Sequence, residues 1–456
     1  MNRTNRIKPV VMFLLLIGLS SSISTGATYK IHPTIAGAQE EFETIANSLK
    51  PGDELVLYGG TYSQTARRAV TVKGTAEAPI TIRAVEDQEP LLTHPQEVAA
   101  RYNNVEFVDC EYLTIRGIYF KGGSSGVRFI RGHHITFEDC QISHTLNNAL
   151  TMNSGNCDSF VIRKNHIHHT GLLNHGSTEG EGMYIGCHDG SCITTNTIVE
   201  GNYIHHTRGT SSGGNDGIEI KFGSYGNIVR DNVIHDTNIG RKYPGIFVYG
   251  GGKGINIVEG NAIWNAGEGI QVVSDAIIRN NIIFNCSATG ITAAPHAAVP
   301  HVRNVKIVNN TIVNHPRGAL FRWKKAEAMV FANNAVYCPD STAIDASGID
   351  GSKFSYNYLA GKLTGATLDG SAFCDGGTIE SAFTAPAEHD YWPGPTSMLI
   401  GNADPDYVPE LDYNHTTRNP PFDVGAYEWE FTLKNPGRRI KEGFKTSQKR
   451  SEIKHE

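Results

Sequence analysis

The chain has 456 residues, 39% hydrophobic and only 19% charged, with 49 glycines against 19 prolines. So low a charged fraction excludes a disordered chain, and the glycines lack the period of collagen. The net charge of −6 is uneven, because the first 26 residues carry +3 and the last stretch +5, which leaves the body near −14. That excludes nucleic acid as a natural partner, since its binding rests on phosphate neutralisation. It would also repel a polyanionic sugar unless a divalent cation stood between them.

Residues 1–26 read as a cleavable export signal. Arg3, Arg6 and Lys8 form a basic head, Val10 to Leu19 an apolar run, and the small residues from Ser20 to Ala27 a cleavage region. The run is too short to span a bilayer. A secreted or periplasmic protein, monomeric and without a membrane span, is the expectation. Residues 37–49 place Phe42, Ile45, Ala46 and Leu49 at helical spacing before the turn Pro51-Gly52-Asp53. This segment suits an amphipathic lid.

A repeat then runs through the chain, and it overrides the several-domain prior that the length suggests. Asn165, Asn202, Asn232, Asn261, Asn281, Asn310, Asn334 and Asn357 are each followed two residues later by Ile167, Ile204, Ile234, Ile263, Ile283, Ile312, Val336 or Leu359. Ile118 and Cys140 take the Asn place in two earlier repeats. The intervals vary from 20 to 37 residues. A second column opens at Gly126, Ala149, Gly182, Gly217, Gly245, Gly269, Gly290 and Gly318, each followed by an apolar residue and a short alternation. Alternation implies strands with one face buried. Short strands every 20–30 residues, stacked in register, describe an all-β solenoid: a single-stranded parallel β-helix with an N-terminal capping helix. The Asn column is then a ladder of side chains inside the turns. The HHT of 168–170 and 205–207 and the HDT of 235–237 belong to the same turns.

The coil is expected over residues 27–430, with a basic, disordered tail at 431–456. Eight cysteines are too sparse for a disulfide scaffold, although Cys187 and Cys192 bracket a loop short enough to staple.

In such a coil the outward residues of successive strands stack about 4.8 Å apart. Reading the second column outward places Glu181, Tyr184, Asp216, Glu219, Lys221, Phe247 and Tyr249 on one patch. The longest insertions, 172–181, 208–216 and 238–244, flank it as the walls of a groove. Lys221 is the candidate base. Neighbouring carboxylates alone would raise its pKa, so the role requires a cation on Glu179, Glu181 and Asp216; an ion pair with Glu219 or Glu181 is the alternative. Arg241 and Lys242 are candidate anion contacts, and His188 a candidate substrate contact beside them.

The helix, PGDELVLYGGTY, the Asn-rich coils and the closing DVGAYEWE at 423–430 resemble exported right-handed parallel β-helix proteins of the pectate-lyase type. GIEIKFGS at 217–224 is similar to the strand that bears the catalytic lysine in polysaccharide lyase family nine, and EGEGMY at 179–184 to its acidic calcium loop. More distantly, DGIEIKFGSYGN is similar to the calcium strand of the chondroitinase-B and alginate-lyase group, family six. Here the first Glu of that strand is missing, the family's lysine would fall near Ser224, and its Arg-His-Gly is replaced by Tyr249-Gly250-Gly251. The resemblance implies calcium-assisted β-elimination on an acidic, uronate-containing polysaccharide. Lys221 would be the base, Tyr184 or Tyr249 the proton donor, and Glu179, Glu181 and Asp216 the metal ligands. Glu219, Phe247, His188, Arg241 and Lys242 would contact substrate. The rivals are a glycoside hydrolase using Glu181, Asp216 and Glu219, and a non-catalytic carbohydrate-binding coil whose aromatics stack on sugars.

Overall fold

The computed structural model describes residues 26–33, 38–95, 100–173, 179–210, 213–240, 242–432 and 434–437. The expected export signal, except Gly26, and most of the expected tail lie outside these residues. Among the described residues, no helix is long and apolar enough to cross a membrane.

The chain is a right-handed parallel β-helix with three strands per rung. Three columns of inward side chains fill its core. One runs Ile162, Val199, Val229, Val258, Ile278, Ile307 and Phe331, in unbroken register. The second runs Ile167, Ile204, Ile234, Ile263, Ile283, Ile312 and Val336. The third runs Val127, Leu150, Met183, Ile218, Ile246, Ile270, Ile291 and Ala319. The helix Ala38–Ser48 closes the N-terminal end by burying Phe42 and Ala46, with Leu49 just beyond it.

The Asn ladder holds the register. Each Asn Nδ2 donates to the Oδ1 of the Asn on the next rung, at 2.9–3.0 Å from Asn165 through to Asn357. The same Oδ1 also accepts the preceding Asn's backbone N–H, as Asn232 does from Asn202 at 3.0 Å. Every polar atom of a buried amide thereby finds a partner, as burial demands. A shorter ladder, unread in the sequence, joins Asn227 to Asn256 at 3.0 Å. The residue before each ladder Asn turns through the left-handed region, as at Lys164, Asp231, Asn280 and Asn309. A second such corner falls at His169, His206 and Asp236, which explains the HHT and HDT repeats. The first His of each repeat stacks on the next: His168 on His205 at 5.2 Å, His205 on His235 at 5.1 Å, and His235 on Trp264 at 4.5 Å.

The glycine column has a different cause. Gly217 passes so close to the next rung that a Cβ would lie 2.6 Å from Gly245 O and 2.6 Å from Ile234 Cγ2.

The closing segment does not cap the far end. It lies along the flank of the coil, burying Trp392, Tyr413 and Tyr427 together with the outward Tyr203, Trp264, Phe284 and Tyr337. Arg418 pins it there, donating to Asn280 Oδ1 at 3.1 Å and to Glu428 Oε2 at 3.0 Å.

Two outcomes test this framework. Replacing Asn232 with Ala strips the acceptor from two donors of Asn202 and should cost about 2–4 kcal/mol in urea unfolding. His315 is fully buried, with Nδ1 accepting from Cys286 N at 3.1 Å and Nε2 facing Ile283 O at 3.2 Å. Burial, offset in part by those backbone bonds, brings its pKa down to about 4. Its folded pKa lies below its unfolded one, so its contribution is complete above about pH 6.5 and is lost as pH falls toward 4, by about 3 kcal/mol. The stability deficit of His315→Gln should therefore shrink on acidification over that window.

Candidate active site

The third column positions the site. On its outward side Arg128, Thr151, Tyr184, Glu219, Phe247 and Gln271 follow one another in register. Lys221 lies two residues beyond Glu219 and Tyr249 two beyond Phe247, so each stands on the same face as its predecessor. The outward Tyr184, Glu219, Lys221, Phe247 and Tyr249 are nonetheless buried. Thr207 Oγ1 donates to Asn215 O at 2.5 Å and Asn215 Nδ2 to Thr237 O at 2.7 Å, joining neighbouring turns.

Three carboxylates meet here. Glu181, Asp216 and Glu219 each offer an oxygen within 4.8 Å of the other two. All three are 3% exposed or less. Glu181 Oε2, Asp216 Oδ1 and Glu219 Oε2 have no hydrogen-bond partner among the described residues. Burial pushes Glu181 up to about 8, helped by the charge of Glu219. It raises Asp216 well above the usual carboxylate range, with Glu219 and Glu181 adding to the effect. Glu219 is raised by burial too, against the pull of Lys221. Gly214 lies against the group, and a Cβ there would press on Glu181 Oε1 and come within 3.1 Å of Asp216 Oδ2. Buried, orphaned oxygens on one point, with no side chain in the way, suit a hard cation that takes oxygen ligands.

Lys221 forms an ion pair with Glu219 and is 5% exposed. Its ammonium stands 4.1 Å from the centre of the Tyr184 ring and 5.2 Å from that of Tyr249. Burial works against that charge, but Glu219 and the two tyrosines outweigh it and raise the pKa. The two phenol rings thereby flank the Lys221–Glu219 pair. Burial lifts the Tyr184 hydroxyl to about 12 and that of Tyr249 higher still.

Several expected roles change. Glu219, expected to touch substrate, is instead the third member of the carboxylate group and the partner of Lys221. Glu179, expected as a metal ligand, is exposed and outside the converging three, although its charge reaches Glu181. Phe247, expected as a sugar platform, is 3% exposed; its ring stacks on Tyr249 at 4.1 Å and meets the edge of His296, leaving no open face. His188 is exposed on the loop closed by the Cys187–Cys192 disulfide, and Lys242 is exposed on the neighbouring turn. Arg241 lies outside the described residues.

The sequence pattern missed His296. It sits edge-on to Tyr249 at 4.7 Å, with its pKa lowered by burial and then by the charge of Lys221. It falls in an irregular stretch after the strand Thr289–Ala293, where no column marks it.

The chain belongs to the right-handed β-helix family: the model of the right handed beta helix region matches residues 102–274 and 210–336, together just over half of the sequence. Its fold is that of the pectate-lyase-type coils. Among solved structures it is similar to the pectate lyase Pel9A at 14% identity, covering 90% of this chain and 98% of that one, with a TM-score of 0.54. It is also similar to XylC in complex with xylose, at 10% identity, 88% and 98% coverage and a TM-score of 0.56. A third is a mannuronic acid specific polysaccharide family 6 lyase from human gut microbiota, at 16% identity, 75% and 89% coverage and a TM-score of 0.51. Identities this low establish the fold alone. No curated protein sequence matches.

The raised carboxylate pKa values have a consequence for stability. An acid whose folded pKa exceeds its unfolded one favours unfolding as pH rises, for Glu181 from about 4.5 to about 8. Asp216 is raised in the same direction, so in chelator Asp216→Asn should be more stable than the parent at pH 8 and gain less at pH 5, read by urea unfolding at both.

Proposed function

We propose that this protein is an exported polysaccharide lyase that cleaves a uronate-containing chain by β-elimination, with Lys221 as base and calcium as cofactor. The observation that carries this is one lysine beside three buried carboxylates, each with an unpartnered oxygen, and two tyrosines on a single wall. The likeness to a pectate lyase and to a mannuronate-specific lyase agrees with it at the level of fold.

Glu181, Asp216 and Glu219 would hold the cation. It would supply positive charge that balances these carboxylates and the C6 carboxylate of the substrate. Every other part is played by the chain's own side chains. Lys221 is a poor base while Glu219 keeps it charged, and it becomes competent when that field is cancelled. Its Nζ then takes the C5 proton, the C4–O bond breaks, and a C4–C5 double bond forms. Tyr184 or Tyr249 gives its hydroxyl proton to the departing oxygen, and high phenol pKa values keep that proton available. The leader at residues 1–26 is what supports action outside the cytoplasm.

A hydrolase on the same carboxylates fits less well. All three sink to 3% exposure or less and crowd within 4.8 Å, which leaves no room for a sugar ring between any two.

Lys221→Ala should lower turnover of the cleaved polyuronate by at least about a thousandfold, consistent with loss of a general base. The ultraviolet absorbance of the unsaturated product is the readout. Separately, calcium should raise the melting temperature of both the parent and Lys221→Ala at pH 8, but not that of Asp216→Asn. Reducing ends without ultraviolet absorbance would point to hydrolysis and defeat the lyase assignment.

A further inference from the structure

Next to Tyr184, on the side toward the N-terminus, the outward column passes into a cavity of about 300 Å³. Arg128, Asn147, Asn148, Thr151, Asn153 and Glu179 line it. Its polar atoms are conspicuously unused. Thr151 is 3% exposed, yet its Oγ1 has no partner, and neither has Asn153 Oδ1 or Arg128 Nε among the described residues. A buried polar atom left without a partner is costly unless a ligand completes it.

Arg128 is also electrostatically free. Along the coil the arginines at 67, 83, 131, 163, 230 and 279 each pair with a carboxylate on an adjacent rung. Arg128 has no carboxylate within 4 Å among the described residues and spends one nitrogen on Ser154 Oγ. The acid next to it in register, Glu106, is taken by Arg67 and by Asn103, the latter at 2.8 Å. An unpaired guanidinium with a free edge, set among hydroxyl and amide groups on an acidic protein, matches a sugar carboxylate flanked by hydroxyls.

We infer that this cavity is a subsite for a second uronate of the same chain, with Arg128 binding its carboxylate and Thr151 and Asn153 its hydroxyls. The inference rests on the lyase assignment for the identity of the polymer, and it adds that the substrate carries acid groups beyond the sugar being cleaved. The chain then runs along the coil axis, from Glu219 past Tyr184 toward Arg128.

The probes are polygalacturonate and alginate, with methyl-esterified polygalacturonate as the uncharged counterpart and a sulfated neutral glycan as the other anion. Arg128→Ala should raise KM for the cleaved polyuronate about tenfold while kcat stays within about twofold, and Arg128→Lys should recover part of the loss. Thr151→Val, nearly isosteric, guards against a folding artefact and should raise KM by a smaller factor. In calorimetry on the Lys221→Ala protein, Arg128→Ala should weaken the polyuronate about tenfold and leave the esterified polymer unchanged. An unchanged polyuronate affinity would overturn the inference, as would an equal loss on the esterified polymer or an Arg128-dependent preference for the sulfated glycan. Binding that depends on Arg128 without any unsaturated product would uphold the subsite and sink the lyase assignment. Neither binding nor cleavage by the parent would sink both.

Discussion

Everything in this molecule depends on a chain of amide hydrogen bonds running along its axis. From Asn202 to Asn334 each side chain hands an Nδ2 hydrogen to the next rung and accepts two donors from the rung before. A parallel strand pair can slip by two residues without exposing its apolar face, so hydrophobic alternation alone leaves the register open. A buried amide cannot slip without orphaning several polar atoms at once. The ladder therefore converts variable repeat lengths, 20 to 37 residues, into a constant stacking. Insertions are pushed out into the turns.

Because register is constant, residues far apart in the chain meet at predictable places. Glu181, Asp216 and Glu219 come from two rungs, and all three are buried. The result is a strongly unbalanced cluster, three carboxylates against one ammonium. In a low-dielectric pocket that arrangement either takes up protons or binds a cation. Lys221 inherits its state from this balance: held charged by Glu219, it gains basicity only when positive charge enters beside it. One electrostatic imbalance thus links the protonation of Lys221 to the stability of the fold.

The same acidity shapes how a substrate could approach. A body near −14 repels a polyanion, and the other arginines on the coil are largely spent on neighbouring carboxylates. On the proposed reading attraction is local, at a cation held by the three carboxylates and at Arg128. Two such points, separated along the axis, would align a chain rather than merely capture it.

The coil, two of its three core columns, the capping helix and the Asn ladder were legible in the chain, because periodicity is a one-dimensional signal that a solenoid preserves. So was the list Glu181, Tyr184, Asp216, Glu219, Lys221 and Tyr249, since columns can be aligned by eye once the Asn and Gly positions are known. Roles were less legible. Outward position suggested exposure for Phe247 and Glu219, but the overlying turns buried both, and Glu179 stayed in the open while Glu219 took its place. His296 and the flank taken by 383–427 have no periodic mark at all, and the column that holds Arg128 and Thr151 does not show that a cavity opens there. Sequence by itself determined which residues share a column, because strand stacking copies chain order into space. Only the tertiary structure decided which of them are dry, paired or left without a partner, because that depends on how irregular turns from several rungs close over one another.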